Sequence, residues 1–384
     1  ALVIGFAIHG LAVARALARS GVQVCVLSED ATPVPPAALT RYARVFSRRG
    51  LNSEALPGIL MALAAELRSE RKIVLFPTSD RIAKSIALAW PQLSEHYALS
   101  WAHCRDLVLQ LQRKDVLAQY CDRAGVRYPK SRNLAAAQEC AAIASELSFP
   151  LVVKPAMPLS AFKAIRVANI DELRRCVTTY PRELPFVVQE WVEGPEPSLY
   201  ACTTLMTHGK VTTLFTSRKL DASPPGLGQG TVFETLDCPE IADITRRFLD
   251  TLDLSGPVAV EFKRDAAGKY WLIEPNVGRT EYCVDLAVQS GFNLPYVEYL
   301  HVIGKADEVP PRTSHPRVWF DTDKDPTCFV RNATRLFGEG RLRRPIFPFL
   351  GHDGGRPLAA ALAGRVRWAL RATGRRVFGT KRPA

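Results

Sequence analysis

The chain has 384 residues, of which 47% are hydrophobic, so it is long enough to bury its core in two or three lobes. No apolar run approaches the roughly 20 residues that span a bilayer, and no basic stretch precedes a short apolar segment at the N-terminus, so we expect a cytoplasmic protein. The formal net charge is +12, but the segment from Arg341 onward holds eleven Lys/Arg against one acid and carries +10 of it. The nearly neutral remainder argues against a nucleic-acid partner. Nine cysteines without a C-x-x-C pair or a His/Cys cluster favour reduced thiols over disulfides or structural zinc.

The first hundred residues alternate short apolar strands with helical periodicity. The strand Leu2–Ile4 leads through glycines into a helix that ends at Gly21, and residues 22–27 and 73–76 continue as strands. This order predicts an open parallel sheet, and we assign residues 1–103 to an N-terminal Rossmann-like domain. The apolar periodicity that follows predicts one linker helix within residues 104–127.

The turn after the first strand, Gly5-x-Ala7-x-x-Gly10, nearly matches the dinucleotide-binding fingerprint, with Glu29 and Asp30 where a ribose-binding acid would lie. Ala7, however, puts a methyl group where the fingerprint has a glycine that lets backbone approach a pyrophosphate. Three interpretations of this turn therefore stay open: a nicotinamide site, a helix N-terminus facing a substrate anion, and a simple sheet-to-helix turn.

Residues 128–310 show an α+β pattern. The alternation and the turn residues predict strands at residues 149–154, 165–167 and 186–191, hairpins at 198–217 and 258–274, and helices at 170–177 and within 282–303.

Two strand ends in this region could bind a nucleotide. Lys154 follows three apolar residues of a buried strand, which places an ammonium where it can contact an α- or β-phosphate. The run from Gln189 to Glu193 offers backbone groups to an adenine and a carboxylate to ribose hydroxyls. Taken singly, each is also typical of a solvated strand end.

Three oxygen-bearing side chains lie on the last predicted hairpin. Glu261 and Glu274 occupy its two strands, and Asn276 lies two residues past Glu274 on the same face. Magnesium prefers one or two carboxylates together with substrate phosphates. Since both glutamates are flanked by apolar residues, where an unpaired charge is costly, the pattern favours a metal site.

These residues together resemble the ATP-grasp superfamily, and within it the carbamoyl-phosphate-synthase-like carboxylate-amine ligases, over roughly residues 1–305. The resemblance implies two phosphate-binding lysines, an adenine-binding strand, a ribose-binding acid, a metal site and an arginine that steadies the transferring group. In that order the matching residues are Lys114 and Lys154, then Gln189, Glu190 and Val192, then Glu193 or Glu196, then Glu261, Glu274 and Asn276, and finally Arg279.

Two stretches depart from the family pattern. Residues 157–163 contain no glycine whose N–H group would fold over the phosphates, so Ser160 and Lys163 would replace some of those contacts. Arg279 follows the asparagine by three residues rather than by two, a shift that Gly278 could absorb.

The resemblance also implies a basic pair and a closing loop at the active site. Arg218 and Lys219 match the pair, and the glycine- and proline-rich residues 224–230 match the loop, although a plain hairpin connection fits the same residues.

The implied fold combines α/β and α+β parts. After the N-terminal parallel sheet come a small α+β lid at residues 128–190 and a larger antiparallel-sheet lobe with the metal site at residues 191–310. An irregular segment and a basic helix occupy residues 311–384.

The implied activity is ATP-dependent ligation of a small-molecule carboxylate to an amine through an acyl phosphate, without a protein nucleophile. ATP and Mg²⁺ are the expected cofactors, with Mn²⁺ as an alternative metal, and a homodimer is compatible with this interpretation. A nicotinamide-dependent oxidoreductase and a non-catalytic ATP-binding regulatory protein stay open as alternatives.

The C-terminal segment from Arg356 is basic and apolar at near-helical spacing, and it contains Trp368. Such a helix could lie on an anionic membrane surface. A solvated packing helix, a protein-docking segment and a contact to an anionic substrate are the alternatives.

Overall fold

The computed structural model of the chain describes residues 1–157, 161–195, 197, 199–351 and 355–366. Within these residues the backbone forms β-sheets of five, four and six strands, each with helices packed against it.

The first sheet belongs to the N-terminal lobe. Its elements are β1 (Leu2–Ile4), α1 (Ile8–Arg19), β2 (Cys25–Glu29), β3 (Arg44–Arg48), α2 (Leu56–Leu67), β4 (Ile73–Pro77), α3 (Asp80–Leu93) and β5 (Tyr97–Ala98). The strands run parallel in the order β3-β2-β1-β4-β5, which confirms the predicted open parallel sheet. Both faces are covered, since Leu2 and Ile4 enter one apolar core and Val3 enters another.

The connection to the second lobe is not the single linker helix that the periodicity predicts. It consists of α4 (Arg105–Leu111) and α5 (Leu117–Arg123). The chain breaks between them because the backbone N–H of Lys114 donates to the carbonyl oxygen of Ala156 (3.0 Å), a tertiary contact that helical spacing does not reveal.

The second lobe is small and antiparallel. Its elements are β6 (Ser131–Leu134), α6 (Cys140–Glu146), β7 (Leu151–Pro155), β8 (Ile165–Val167), α7 (Ile170–Thr179) and β9 (Phe186–Glu190). The strand order is β6-β9-β7-β8, and one face is covered by α6 and α7. Asn169 starts α7, since its side-chain oxygen accepts from the N–H of Glu172 at 3.0 Å.

The third lobe holds the six-stranded sheet. Its elements are β10 (Leu199–Thr207), β11 (Lys210–Ser223), β12 (Gln229–Thr235), α8 (Pro239–Leu249), β13 (Gly256–Arg264), β14 (Tyr270–Val277), α9 (Val284–Gln289) and α10 (Leu294–Val302). The strands pair antiparallel in the order β14-β13-β10-β11-β12, so both predicted hairpins are present.

The segment predicted to be irregular after residue 310 is partly regular, and that prediction is wrong. It contributes β15 (Val318–Phe320), which adds to β12 as the sixth strand, and α11 (Cys328–Gly338). A strand of three residues is too short to show a period, and its pairing with β12 is what defines it.

A last described helix, α12, spans residues 356–366. Leu358 and Ala361 pack into the N-terminal core, and Arg365 donates to the carbonyl oxygen of Thr322. The rest of the predicted basic helix, including Trp368, lies outside the described residues. Among the residues that the structure covers, no helix combines the length and the apolar character needed to cross a membrane.

Apolar packing fixes the first lobe against the third. Trp101 and Val108 share one core with Val258 and Val260 of β13, while α1 packs against α9. The carboxyl end of β4 and the β13–β14 hairpin therefore face one space. The division of the chain at residues 103, 127, 190 and 310 stays a prediction.

Candidate active site

The main cavity of the described residues, about 460 Å³, lies where the three lobes meet. It is bordered by Asp80 after β4, by Lys114 between α4 and α5, by Pro155 of β7 and by Glu261 of β13. A smaller cavity of about 100 Å³ adjoins it along β9. The two cavities share Lys163, Leu199, Lys219, Gly228, Glu261 and Glu274.

The β13–β14 hairpin brings together the three predicted metal ligands. Glu261 stands directly opposite Glu274 in the strand register, and Asn276 stands opposite Ala259. The side-chain amide of Asn276 donates to Oε1 of Glu261 at 3.1 Å. Because the side chains of one face recur every two residues, this register alone gathers all three at one wall of the main cavity.

Three lysines face these carboxylates. Nζ of Lys114 lies 3.4 Å from Oε2 of Glu274, and Nζ of Lys154 donates to Oε1 of Gln189 at 3.1 Å. Burial alone would raise the pKa of Glu274, but Lys114, Lys154 and Lys163 outweigh it and lower this pKa to about 2. Glu274 is therefore ionised at every physiological pH.

The lysines themselves differ in their surroundings. Burial lowers the pKa of Lys154, and the neighbouring Glu274 only partly opposes it. The pKa of Lys163 is raised, chiefly by Glu261. Lys163 thus reaches the site although Ser160, its companion in the predicted phosphate loop, lies outside the described residues.

Arg279 is held at the other end of the main cavity. Its Nε donates to Oδ1 of Asp80 at 2.6 Å, and its Nη2 donates to the side-chain oxygen of Asn276 at 2.5 Å. Burial would lower the pKa of Arg279, but Asp80 and Glu281 outweigh it and raise this pKa.

Gly278, which we predicted could absorb the extra residue between Asn276 and Arg279, has a left-handed backbone conformation. Its φ is +70°, and its N–H donates to the carbonyl oxygen of Pro257 at 3.0 Å. A Cβ atom here would lie 2.6 Å from Cγ1 of Val108, so the position requires glycine for its backbone angle and for the close approach.

The smaller cavity runs along the end of β9. Four consecutive residues there border it, Gln189, Glu190, Trp191 and Val192, and Nε2 of the buried Gln189 has no hydrogen-bond partner within the described ranges. The Glu190 carboxylate is already engaged, since Oε1 accepts from the N–H of Ser148 at 2.9 Å. Lys263 lies over the Trp191 ring, with Nζ 3.5 Å from its centre.

The two candidates for the ribose-binding acid are placed unequally. Glu193 has a side chain that is 66% exposed and lies 3.3 Å from Nη2 of Arg166, and it does not border either cavity. Glu196 lies outside the described residues.

The predicted basic pair is divided between two faces of β11. Lys219 borders both cavities, as do residues of the predicted closing loop. Arg218 does not border either one and instead forms a salt bridge to Glu234 at 2.6 Å, which Arg341 also contacts at 2.6 Å. Side chains alternate along a strand, so two consecutive residues cannot both face the cavity.

The structure adds site residues that the sequence reasoning missed. Asp80, Glu281 and Tyr282 all border the main cavity. Asp80 follows the carboxyl end of β4, where polar residues of parallel sheets collect, and that signal could have found it. Burial raises the pKa of Glu281, opposed by Arg279 and reinforced by Glu261.

The first glycine turn is filled by protein. The Thr78 hydroxyl donates to the carbonyl oxygens of Ile4 (2.8 Å) and Gly5 (3.1 Å), and a ring nitrogen of His9 lies 2.9 Å from the carbonyl oxygen of Thr78. A Cβ atom at Gly5 would lie 2.3 Å from the Thr78 hydroxyl. The turn borders neither cavity, and its glycine is explained by packing.

Comparison with known proteins finds relatives by sequence and by structure. No family model matches the chain. Over 183 residues it is 27% identical to a D-alanine--D-alanine ligase of Stutzerimonas stutzeri, a match that covers 41% of this chain and 53% of that protein. The chain thus spans about half the length of the curated relatives it matches.

Two solved structures cover most of the chain. N5-carboxyaminoimidazole synthetase from Staphylococcus aureus, complexed with ADP, superposes with a TM-score of 0.66 at 15% identity, covering 87% of this chain and 85% of that one. An L-amino acid ligase from Bacillus licheniformis gives a TM-score of 0.60 at 17% identity, with coverage of 81% and 77%. The chain has the ATP-grasp fold. In this ATP-grasp fold residues of both the small lobe and the six-stranded lobe border the smaller cavity.

Proposed function

We propose that the chain is an ATP- and magnesium-dependent ligase that activates a carboxylate as an acyl phosphate and joins it to an amine. The observation that carries the proposal is the convergence of three lysines, two carboxylates, an amide and an arginine on two adjoining cavities that share Glu261 and Glu274. The comparisons support it, because the matched relatives include a D-alanine--D-alanine ligase and a solved neighbour is an L-amino acid ligase.

The donor set fits magnesium in the form that accompanies a nucleotide. Within the described ranges no three His, Cys, Asp or Glu side chains form a metal cage of protein groups alone. Two carboxylates with an amide oxygen instead match the preference of magnesium for few protein ligands and several phosphate or water oxygens. Glu261, Glu274 and Asn276 would hold the ion, and Glu274 is ionised as a ligand must be. When bound, the ion would neutralise charge on the phosphates.

The smaller cavity suits the adenine. Nε2 of Gln189 is a buried donor with no partner among the described residues, and Trp191 and Val192 supply apolar walls. From there a triphosphate would reach the lysines that border the carboxylates. Lys114, Lys154 and Lys163 would hold its oxygens, and Lys219 would approach from β11.

The reaction then needs positioning rather than a protein nucleophile. An oxygen of the substrate carboxylate attacks the γ-phosphorus of ATP, and ADP leaves. The amine nitrogen next bonds to the acyl carbon, the bond from that carbon to the phosphate oxygen breaks, and inorganic phosphate leaves with the electron pair. The protons lost by the amine go to phosphate and water. Arg279 would steady the negative charge at both steps.

Substitution at the phosphate and metal positions tests the proposal. Lys154→Ala and Glu274→Ala should each abolish ADP release in the presence of ATP, magnesium and pooled carboxylates and amines. Lys210→Ala removes an exposed lysine from the start of β11 and serves as the matched control. Near-normal turnover in either site variant, with folding verified by circular dichroism, would refute the assigned roles.

The two alternatives separate in simple binding and turnover assays. An oxidoreductase would bind NADH more tightly than ATP in a fluorescence titration. A non-catalytic regulator would bind ATP but release no ADP with any carboxylate and amine. The cavity residues described above favour the ligase over both.

We also propose contact of the C-terminal segment with anionic membranes. In α12 the side chains of Leu362 and Val366 are exposed while Leu358 and Ala361 are packed, and in the sequence this exposed apolar edge is followed by basic residues. The full chain should co-sediment with anionic vesicles more strongly than a chain ending at residue 366, which keeps the packed part of α12. Equal sedimentation would dispose of the membrane contact.

A further inference from the structure

Glu281 is a charged group of the main cavity to which the proposed mechanism gives no task. Its side chain is 14% exposed, and its Oε2 is buried without a hydrogen-bond partner among the residues that the structure describes. In the described part of the chain the nearest cation is Nη1 of Arg279, at 3.7 Å, which is beyond hydrogen-bonding distance. A buried carboxylate oxygen left in this condition is costly, so a function at this position is the natural explanation.

Arg279 does not satisfy Glu281 because its donors have other partners. Nε donates to Asp80, Nη2 donates to Asn276, and Nη1 donates to the carbonyl oxygen of Thr280 at 3.3 Å. Asp80 and Glu281 thus flank the same guanidinium, but only Asp80 is hydrogen-bonded to it. The carboxylate of Glu281 accepts a hydrogen bond from the backbone N–H of Tyr282, and its remaining acceptor capacity stays available for a cation that enters the cavity.

The amine substrate of a ligase is such a cation. Free amines have pKa values of roughly 8 to 10 and so arrive protonated at neutral pH. An ammonium group carries up to three N–H donors, and carboxylate acceptors bind it through charge-assisted hydrogen bonds. The neighbouring Phe233 and Tyr282 also border this end of the cavity and could contact the carbon skeleton of the amine.

The location relative to Arg279 makes this binding productive. Arg279 is the group proposed to steady the acyl phosphate, and Glu281 lies beside it. An ammonium held on Glu281 would therefore have its nitrogen next to the acyl carbon, and it attacks that carbon as the neutral amine after losing one proton to phosphate or water.

We propose that Glu281 is the subsite for the amine substrate, which it binds as a primary or secondary ammonium through its carboxylate. This inference rests on the proposed ligase function and adds to it the recognition of the second substrate. Asp80, by contrast, positions Arg279. It therefore affects the first step, in which the substrate carboxylate is activated.

Hydroxylamine separates the two roles, because it is largely uncharged at neutral pH and attacks acyl phosphates without needing an ammonium site. Both assays contain ATP, magnesium and, as carboxylate substrates, the twenty L-amino acids and D-alanine. With hydroxylamine present, the product measured is hydroxamate. Without hydroxylamine, the quantity measured is the ADP released as amides form. For Glu281→Gln we expect the KM for the amino acid that supplies the amine to rise about 10- to 100-fold, which is the effect of losing a charged hydrogen bond. Hydroxamate formation should stay within a few-fold of the wild-type rate. Glu281→Asp, which keeps the charge, should recover part of the amine-dependent rate.

Asp80→Asn is the matched control, since it changes the other carboxylate that flanks Arg279. It should lower hydroxamate formation and amide formation together. If Glu281→Gln also loses hydroxamate formation in parallel, Glu281 only positions Arg279 and the inference is wrong. If Glu281→Gln instead raises the magnesium concentration needed for hydroxamate formation, the carboxylate serves the metal and the inference is equally wrong. A wild-type chain that binds ATP but forms no hydroxamate from any acid of the set would overturn the ligase function itself.

Discussion

Replacing Glu298 by glutamine should make the protein more stable above neutral pH. Glu298 lies on α10, is 5% exposed, and accepts a hydrogen bond from the hydroxyl of Ser100 at 2.6 Å, between the third lobe and the first. Burial raises the pKa of this carboxyl from 4.5 to about 7, and the hydrogen bond from Ser100 only partly opposes the shift. Glutamine keeps the volume and the acceptor oxygen without the charge.

The sign and size follow from proton linkage. Below pH 4.5 the carboxyl is protonated in both the folded and the unfolded chain, so it does not change the free energy of unfolding. As pH rises from 4.5 to about 7, the unfolded chain loses its proton while the folded chain still holds it, so the free energy of unfolding falls over this range and levels off above it. The two pKa values differ by an amount worth about 3 kcal/mol, at about 1.4 kcal/mol per tenfold change in proton affinity. Glu298→Gln should therefore be near neutral at pH 4.5 and stabilising by up to about 3 kcal/mol at pH 8.

Thermal unfolding at pH values from 4.5 to 8 measures this difference. The variant should unfold at a temperature several degrees above that of the wild type at pH 8, and the gap should close on acidification. Glu308→Gln is the control, because Glu308 is 55% exposed and its pairing with Lys305 is on the surface. A constant difference between Glu298→Gln and wild type across this pH range would show that Glu298 does not hold its proton in the folded protein.

Two further pairs of substitutions test the packing and the division of the site. Gly278→Ala should destabilise by about 2–5 kcal/mol, from the left-handed backbone and the clash with Val108. Gly304 has a similar φ of +74° but open space around it, so Gly304→Ala should lower the free energy of unfolding by only about 1–2 kcal/mol. Equal shifts in the thermal midpoint of the two variants would exclude the clash. Lys219→Ala should weaken ATP binding in calorimetry with little loss of stability. Arg218→Ala should do the reverse, costing about 1–3 kcal/mol by leaving the 8%-exposed Glu234 with one partner fewer, and reduced ATP affinity in a stable Arg218 variant would contradict this.

The parts of the site that depend on local pattern could be predicted from the sequence. The strand period of two placed Glu274 and Asn276 on one face, and the predicted hairpin placed Glu261 on the neighbouring strand, where the structure has it opposite Glu274. The apolar run before Lys154 likewise indicated a strand that ends in a cation, and the structure places that strand in the small sheet. These relations need only the backbone geometry of a hairpin or of one strand.

The parts that depend on distant contacts could not be predicted. Asp80 and Arg279 are 199 residues apart, and only the packing of the first lobe against the third brings them within 2.6 Å. The break between α4 and α5 follows from a backbone bond of Lys114 to Ala156, which no propensity encodes. Arg218 was assigned to the site with Lys219 from resemblance, although strand alternation places the two on opposite faces of β11.

The charges around Glu274 imply that ATP and magnesium bind interdependently. At present Lys114, Lys154 and Lys163 keep this carboxylate ionised. If the lysines turn to phosphate oxygens, Glu274 loses its counterions, and a divalent cation is needed to replace them. Wild-type affinity for a non-hydrolysable ATP analogue should therefore rise by about tenfold or more when magnesium replaces EDTA in calorimetry. Glu274→Gln should reduce this difference in affinity between magnesium and EDTA. In EDTA the variant should bind the analogue at least as tightly as wild type does, and Glu308→Gln is the control. If the variant bound more weakly in EDTA, the lysines would not be shared between Glu274 and the nucleotide, and the electrostatic account of the site would fail.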